Sequence, residues 1–353
     1  EANPNTVVVL HNGSPVEMPW IEKPKAVLEA YLGGEAVGEA EIRVLFGEVN
    51  PSGHLAETFP KKLSDNPSYL SFPGEGGITR YQEGIFTGYR YYETKEMEVL
   101  FPFGWGLSYT DFSFHDLKVE KEGMEDEGNN GENKTEAKVT VTVTNTGDRE
   151  GKAVVQLYVS PCRGEIIRPV RELKGFEKVS LQPGESKEVT ILLDRRAFSH
   201  WNRYLHKWAV EEGEYRIEIG ENVHDIVLSA PVKITGDVIP PVGGYTESTP
   251  MSVFAKTEKG RGFLDENIGY MVRGMAHLGY IPKELLPALD QMSGGITLDA
   301  IDMLAERAGS AGGQMGGTGG LEALLGQSVA ILKGFLPEEK KEELVKLVEE
   351  LNR

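Results

Sequence analysis

Residues 81–112, YQEGIFTGYRYYETKEMEVLFPFGWGLSYTDF, divide the chain into two kinds of sequence. The stretch is dense in Tyr, Phe and Trp, interleaved with Gly84, Gly88, Gly104 and Gly106. Aromatic rings bury large apolar areas, and glycine lets two backbones approach closely. Such a segment is expected to be a packed junction rather than a linker. Before it the pattern is that of a layered α/β fold; after it the apolar period changes to two.

Upstream, Thr6-Val7-Val8-Val9-Leu10 is apolar on both faces, which predicts a buried parallel strand. His11–Pro15 reads as a turn and Val16–Trp20 as a loop. Pro24 can open a helix, and Val27, Leu28 and Tyr31 give Lys25–Leu32 helical spacing, ended by Gly33-Gly34. A second helix is expected over Val37–Phe46, with Ala40, Val44 and Leu45 inward and Gly47 as its cap. Asn50–Gly53 is a turn, and Leu55–Phe59 a short strand. These elements are too few for a whole α/β domain. The abrupt opening on an apolar strand suggests that the chain is the C-terminal part of a longer one.

Downstream, Phe112, Phe114, Leu117 and Val119 mark a strand. Residues 121–134 are acidic and rich in Gly and Asn, and read as a loop. Ala137, Val139, Val141 and Val143 alternate strictly with Lys138, Thr140, Thr142 and Thr144, the signature of a half-buried antiparallel strand. Further strands are expected over 154–159, 173–181, 188–193, 207–210, 213–220 and 225–232. Short strands between turn signals argue for an immunoglobulin-like sandwich, and the lack of a Cys…Trp…Cys pattern favours the fibronectin III variant. The fold class is therefore a partial α/β layer plus an all-β sandwich, followed by a helical C-terminal region. The expected domains are 1–108, 109–235, a linker at 236–262 and a helical tail at 263–353. In the tail, Ile268, Met271, Val272 and Met275 share one helix face. Helices are also expected over 283–292, 298–308, 321–332 and 337–351, with a glycine-rich segment at 309–320.

The net charge of −18 argues against nucleic-acid or anionic-membrane partners, which need clustered cations. One cysteine, Cys162, cannot form an internal disulfide, and suits a reducing compartment such as the bacterial cytoplasm. No apolar run approaches the roughly 20 residues of a membrane span. The histidines show no ligand spacing with Cys162, so no metal and no cofactor is expected. Asp111, Asp116 and the acidic run at 125–132 read better as solvated charge than as a Ca²⁺ site.

Three blocks carry a resemblance to a known family. They are NPNTVVVLHNGSPVEMPW at 3–20 with NPSGHLAETFP at 50–60, then YQEGIFTGYRYYE at 81–93 with LFPFGWGLSYTDF at 100–112, then RPVRELKGFEKVSLQPG at 168–184 with WAVEEGEYRIEIG at 208–220. In this order they resemble the C-terminal part of glycoside hydrolase family 3, the β-glucosidase type, across roughly residues 1–235. The resemblance implies retaining hydrolysis of β-glucosides, with two carboxyl groups about 5 Å apart. It places the nucleophilic Asp in a (β/α)8 barrel and the acid/base Glu upstream of the block at 3–20, so no catalytic residue is assigned to residues 1–353. The implied partners are a β-glucoside substrate and an upstream barrel-containing piece; a homodimer is left open. The alternative is a non-catalytic carbohydrate-binding or dimerisation module.

Ligands of open α/β sheets sit beyond the carboxyl ends of the strands, which makes His11, Glu17 and Trp20 candidates to face a sugar. Trp20 would stack on the ring; alternatively Glu17 and Trp20 hold the loop against the sheet. Tyr81, Glu83 and Arg90 are candidates for a cleft rim, or for a buried Glu83–Arg90 pair that locks the junction, and Glu57 is expected to be structural in the same way. Trp201, Tyr204 and Trp208 could form a sugar-binding face but are expected to be core.

Overall fold

The computed structural model describes residues 3, 5–121, 135–162, 164, 166–203, 205–241, 243–278, 298 and 326–352. The chain divides into two compact units, Glu1–Asp237 and Val238–Arg353.

The first unit opens with strand β1 (Val7–Leu10) and strand β2 (Ala26–Glu29), which pair in parallel with Val8 opposite Val27. Lys25 N–H donates to Thr6 O and Ala30 N–H to Leu10 O, extending the ladder at both ends. The helix expected over 25–32 is therefore a strand. A four-residue apolar run fits either element, and pairing with β1 satisfies its backbone groups across the sheet. Helix α1 (Val37–Leu45) follows as expected, and Gly47, at φ +77°, donates its N–H to Val44 O past the helix end. None of its residues is buried; Ala40 and Leu45, expected inward, are exposed. The strands β1 and β2 are likewise only partly covered, against the expectation of burial on both faces. The expected strand at 55–59 is an extended segment that exchanges backbone bonds with 100–105 but forms one isolated bridge, Phe59 to Phe101.

Helix α2 (Tyr89–Thr94) lies inside the aromatic stretch. The sandwich follows. Strands β3 (Phe112–Lys121), β4 (Thr135–Asn145) and β7 (Ser186–Asp194) form one antiparallel sheet in the order β3-β4-β7. Strands β5 (Gly151–Ser160), β6 (Glu172–Leu181), β10 (Gly213–Gly220) and β11 (Ile226–Ile234) form the other, in the order β11-β10-β5-β6. Two short strands, β8 (His200–Asn202) and β9 (Lys207–Ala209), pair as a separate hairpin.

Period-two alternation places Ala137, Val139, Val141 and Val143 of β4 against Val155, Leu157, Val159, Ile217 and Ile219 of the other sheet, all buried. In β3 the apolar phase switches between Phe114 and Leu117, and a register shift falls between His115 and Lys118, with Asp116 at φ +56°. The extra residue of a bulge restores the inward face after the switch.

The second unit is helical among its described residues: α3 (Met251–Phe254), α4 (Glu258–His277), α5 (Val329–Phe335) and α6 (Glu338–Leu351). Ile268, Met271 and Val272 of α4 form its core with Leu332 of α5 and Leu344 of α6, and Met275 packs against it. Tyr245, Met251 and Phe254, which fall in the stretch expected as a linker, are buried in the same core. The helix expected at 283–292, all of that at 298–308 but Leu298, most of the acidic loop, the glycine-rich segment and Tyr204 lie outside the described residues. Among the described residues no helix is long and apolar enough to cross a membrane.

Candidate functional site

The carboxyl ends of β1 and β2 bring several ionisable groups together. His11 follows β1 directly, and its Nε2 lies 2.9 Å from Glu41 Oε1 on α1. Glu29 ends β2, and its Oε1 accepts a hydrogen bond of 2.9 Å from Tyr31 N–H. That bond folds the backbone back on itself and holds Tyr31 in the left-handed region at φ +48°, uncommon for a bulky residue. Tyr31 thereby turns its ring towards Glu57. Glu29 Oε2 is buried with no hydrogen-bond partner among the described residues, and the buried Tyr31 hydroxyl faces the Glu57 carboxyl.

Burial pushes the Glu57 carboxyl above the usual carboxylate range; the Tyr31 hydroxyl works against this and the Glu29 charge adds to it. Burial also raises the Tyr31 phenol, and the charges of Glu57 and Glu29 raise it further. Two carboxyl groups and a phenol thus share one partly dry position, where one carboxyl keeps its proton more readily than in water. The arrangement can accept and donate hydrogen bonds to hydroxyls. Among the described residues no group of three or more His, Cys, Asp or Glu could hold a metal ion.

The residues singled out from sequence divide. His11 stands at this strand end. Glu17 does not: its Oε1 accepts a 2.6 Å hydrogen bond from Leu63 N–H and anchors the short 3-10 turn Leu63–Asp65. Trp20 is partly buried in a tight turn closed by Ile21 N–H to Met18 O and Lys23 N–H to Trp20 O, with Met18 buried beneath it. Both contacts favour a loop-holding role. Glu29 and Tyr31 escaped the sequence reading because a helix was expected over 25–32. The Gly33-Gly34 pair after Tyr31 was the available signal of a chain reversal at a strand end.

The aromatic stretch 81–112 is bound tightly to the sandwich. Tyr89 stacks on Phe103 at 4.5 Å and its hydroxyl accepts a 2.9 Å hydrogen bond from Leu173 N–H. Gly104, at φ +83°, brings its carbonyl to Gln156 Nε2 at 2.9 Å, and a Cβ there would lie 2.0 Å from Gln156 Oε1. Gln156 also donates to Glu221 O and accepts from the Tyr158 hydroxyl at 2.7 Å each, so none of its polar atoms is left alone. Arg171 bridges Glu93 of α2 at 3.1 Å and Glu218 of β10 at 2.9 Å, with both carboxylates almost fully buried. Asn50 receives Ser108 Oγ and Tyr109 N–H on its Oδ1 and donates to Glu150 O.

The expected Glu83–Arg90 pair is replaced by another. Arg90 Nε donates to Glu172 Oε1 at 2.9 Å, and the guanidinium lies over the Tyr89 ring. Glu172 also receives Lys174 at 3.2 Å and Arg168 at 3.7 Å. Burial works to raise Glu172, but Lys174, Arg90 and Arg168 outweigh it and hold the carboxyl below its usual range. Glu83 Oε2 is buried without a partner among the described residues, whereas Tyr81 is 82% exposed, contrary to the burial expected from its aromatic neighbours. Trp201 and Trp208 depart from expectation too: they are not core but lie 51% and 43% exposed.

Comparison with known proteins agrees with this division. Residues 1–109 match the glycosyl hydrolase family 3 C-terminal domain, and residues 153–223 match a fibronectin type III-like domain. Thermostable beta-glucosidase B of Acetivibrio thermocellus is 56% identical over 238 residues, which are 67% of this chain and 31% of that protein. The exo-alpha-(1->6)-L-arabinopyranosidase of Bifidobacterium longum is 46% identical over 237 residues, 67% of this chain and 30% of that protein. Among solved structures, the family 3 beta-glucosidase of Bifidobacterium adolescentis superposes with a TM-score of 0.67 at 42% identity, covering 74% of this chain and 37% of that one. The chain therefore spans about a third of the length of these relatives, and it belongs to glycoside hydrolase family 3, of which it carries the C-terminal α/β portion and the fibronectin III-like domain.

Proposed function

We propose that the chain is the C-terminal portion of a retaining β-glucosidase that releases terminal β-linked glucose, and that a barrel-containing piece of the same enzyme supplies the catalytic Asp and Glu. The observation that carries this reading is the uncovered α/β layer. Parallel strands normally have both faces covered, yet Val7 is 47% exposed, and Leu32, Ile42 and Phe46 of the same layer are 81%, 55% and 80% exposed. An apolar surface of this kind is an interface awaiting its other half. In this reading the sites divide by role. His11, Glu29, Tyr31 and Glu57 border the sugar cleft from the strand ends, Glu17 and Trp20 shape its loop, and Tyr81, Glu83 and Arg90 stand at its rim or brace the junction. The domain divisions fall near 108 and 235, and the single free thiol at Cys162 fits a cytoplasmic setting.

Co-expression of the chain with the barrel-containing part of a family member tests the reading. The pair is expected to co-purify and to cleave aryl β-glucosides, while the 353-residue chain alone is inactive. Cleavage by the chain alone, or failure of the two to associate, would sink it. Because one relative is named an arabinopyranosidase, the reconstituted pair should be offered α-L-arabinopyranosides beside β-glucosides. A stable, sugar-binding chain that never associates with a barrel would favour the alternative of a non-catalytic binding or dimerisation module.

A further inference from the structure

The β8–β9 hairpin has its pattern inside out. Its facing pairs are His200 with Ala209, Trp201 with Trp208, and Asn202 with Lys207. Residues directly opposite share a face, and neighbours along a strand alternate between faces. The inward side takes His200, Asn202 and Ala209, all buried, while both tryptophans point outward and are about half exposed. Ordinary patterning would do the reverse, since indole is among the largest apolar groups and His and Asn need partners when buried.

The exposed rings are also held in place. Trp201 and Trp208 meet edge to face, with centroids 5.5 Å apart and planes at 67°. The Arg196 guanidinium lies 3.0 Å from the centre of the Trp208 ring, a cation–π contact. A fixed aromatic surface loses little freedom when it binds something.

We propose that this outward face is a platform for a β-linked glucan chain, with Trp201 as the stacking ring and Trp208 as its buttress. A pyranose ring has an apolar C–H face that lies against an indole, and hydroxyls around its rim that need polar partners. The exposed Arg196, already over the Trp208 ring, stands beside the rings to supply donors. Two rings are far too small for a stable protein partner, which needs about 800 Å² on each side, but they match one or two sugar units. No acidic residue occurs from Arg195 to Ala209, so the hairpin itself contributes no carboxylate to compete for those donors. The choice of glucan as ligand rests on the β-glucosidase reading; the platform would hold a polymeric substrate away from the site of cleavage.

Affinity electrophoresis of the 353-residue chain through native gels with and without soluble mixed-linkage β-glucan tests this directly. A neutral polymer slows a protein by binding and not by charge. The chain is expected to be retarded, and Trp201→Ala, still folded by circular dichroism, is expected to bind about fivefold to tenfold more weakly, the scale of one lost aromatic contact. Trp201→Phe should restore most of the retardation. Should Trp201→Ala fail to fold, titration with cellotetraose read by indole fluorescence compares the unaltered chain with Trp201→Phe: a saturable change that Trp201→Phe diminishes supports the platform, and no change, or the same change in both, overturns it. Unretarded wild-type chain, equal retardation of Trp201→Ala, or retardation by polygalacturonate alone would each overturn the proposal. Binding here needs no catalytic carboxylate, so the two readings fail separately. A reconstituted enzyme that cleaves glucosides without glucan retardation removes only the platform. Retardation without reconstitution removes only the catalytic reading.

Discussion

The sandwich and the α/β layer are built from equally apolar strands, and only one of them is covered. Val139, Val141, Leu157, Ile217 and Ile219 are at most 1% exposed because two sheets close over them. Val7, Val8, Val9 and Leu10 form a run at least as apolar, but Val7 is 47% exposed and the other three are only partly covered, because two strands and one helix make no second layer. Apolar sequence specifies that a face must be buried; a neighbouring layer decides whether it is. The difference locates the less covered side of this unit.

The largest effects should separate the two regions outright. Leu157→Ala removes a fully buried side chain from the sandwich and should cost about 2–5 kcal/mol in urea unfolding. Ile42→Ala on the exposed face of α1 should stay within about 0.5 kcal/mol in the chain alone. In the reconstituted pair, Ile42→Ala should weaken association instead. Equal losses for both substitutions in the isolated chain would break the comparison.

Between the two regions lies the junction. Arg171→Ala leaves the buried Glu93 and Glu218 without their shared cation and should cost about 2–4 kcal/mol, somewhat less than a wholly buried pair because Arg171 keeps some access to water. Gly104→Ala meets both a left-handed backbone and the Gln156 side chain, and should cost about 1–3 kcal/mol. If either variant unfolds at the wild-type urea midpoint, the stretch 81–112 is no clamp.

The smallest effects are in the pH dependence, and their signs are opposite. Glu57 is raised on folding, so its contribution is present below the ordinary carboxylate pKa and is lost as pH rises through the raised value. Glu172 is lowered, so its contribution is present above the ordinary pKa and is lost as pH falls through the depressed value. Relative to wild type, Glu57→Gln should therefore flatten a decline in stability towards neutral pH, and Glu172→Gln a decline towards acid. Thermal melts from pH 3 to 7 would show it; identical pH profiles for the two variants would refute the assignment.

Much of the sandwich was legible because alternation is local. Strand β4 could be read residue by residue, whereas the bulge in β3 left a signal, the phase switch from Phe114 to Leu117, that was read simply as one strand. The stripe of α6, with Leu344 buried and Leu347, Val348 and Leu351 packed against the core, was legible for the same reason at period 3.6. Strand β2 was not, because Ala26–Glu29 is too short to distinguish the two periods. Neither was the partner of Arg90: Glu172 lies 82 positions away, and nothing local prefers it to Glu83. At the strand ends, the position of His11 could be read from its place after β1, whereas those of Glu29 and Tyr31 depended on knowing that β2 was a strand.

By itself the sequence determined the order of the layers, the inward faces of the long strands, the aromatic junction and the family. Each of these is written in neighbouring residues, where side-chain period and glycine conformation are settled within a few positions. Only the tertiary structure decided which charges pair across the junction, that Tyr31 meets Glu57, and that the two tryptophans of the β8–β9 hairpin face out while His200 and Asn202 face in. The physical reason is that burial and ion pairing are properties of surfaces brought together from distant parts of the chain. A three-residue strand has two faces, and only what packs against it selects between them.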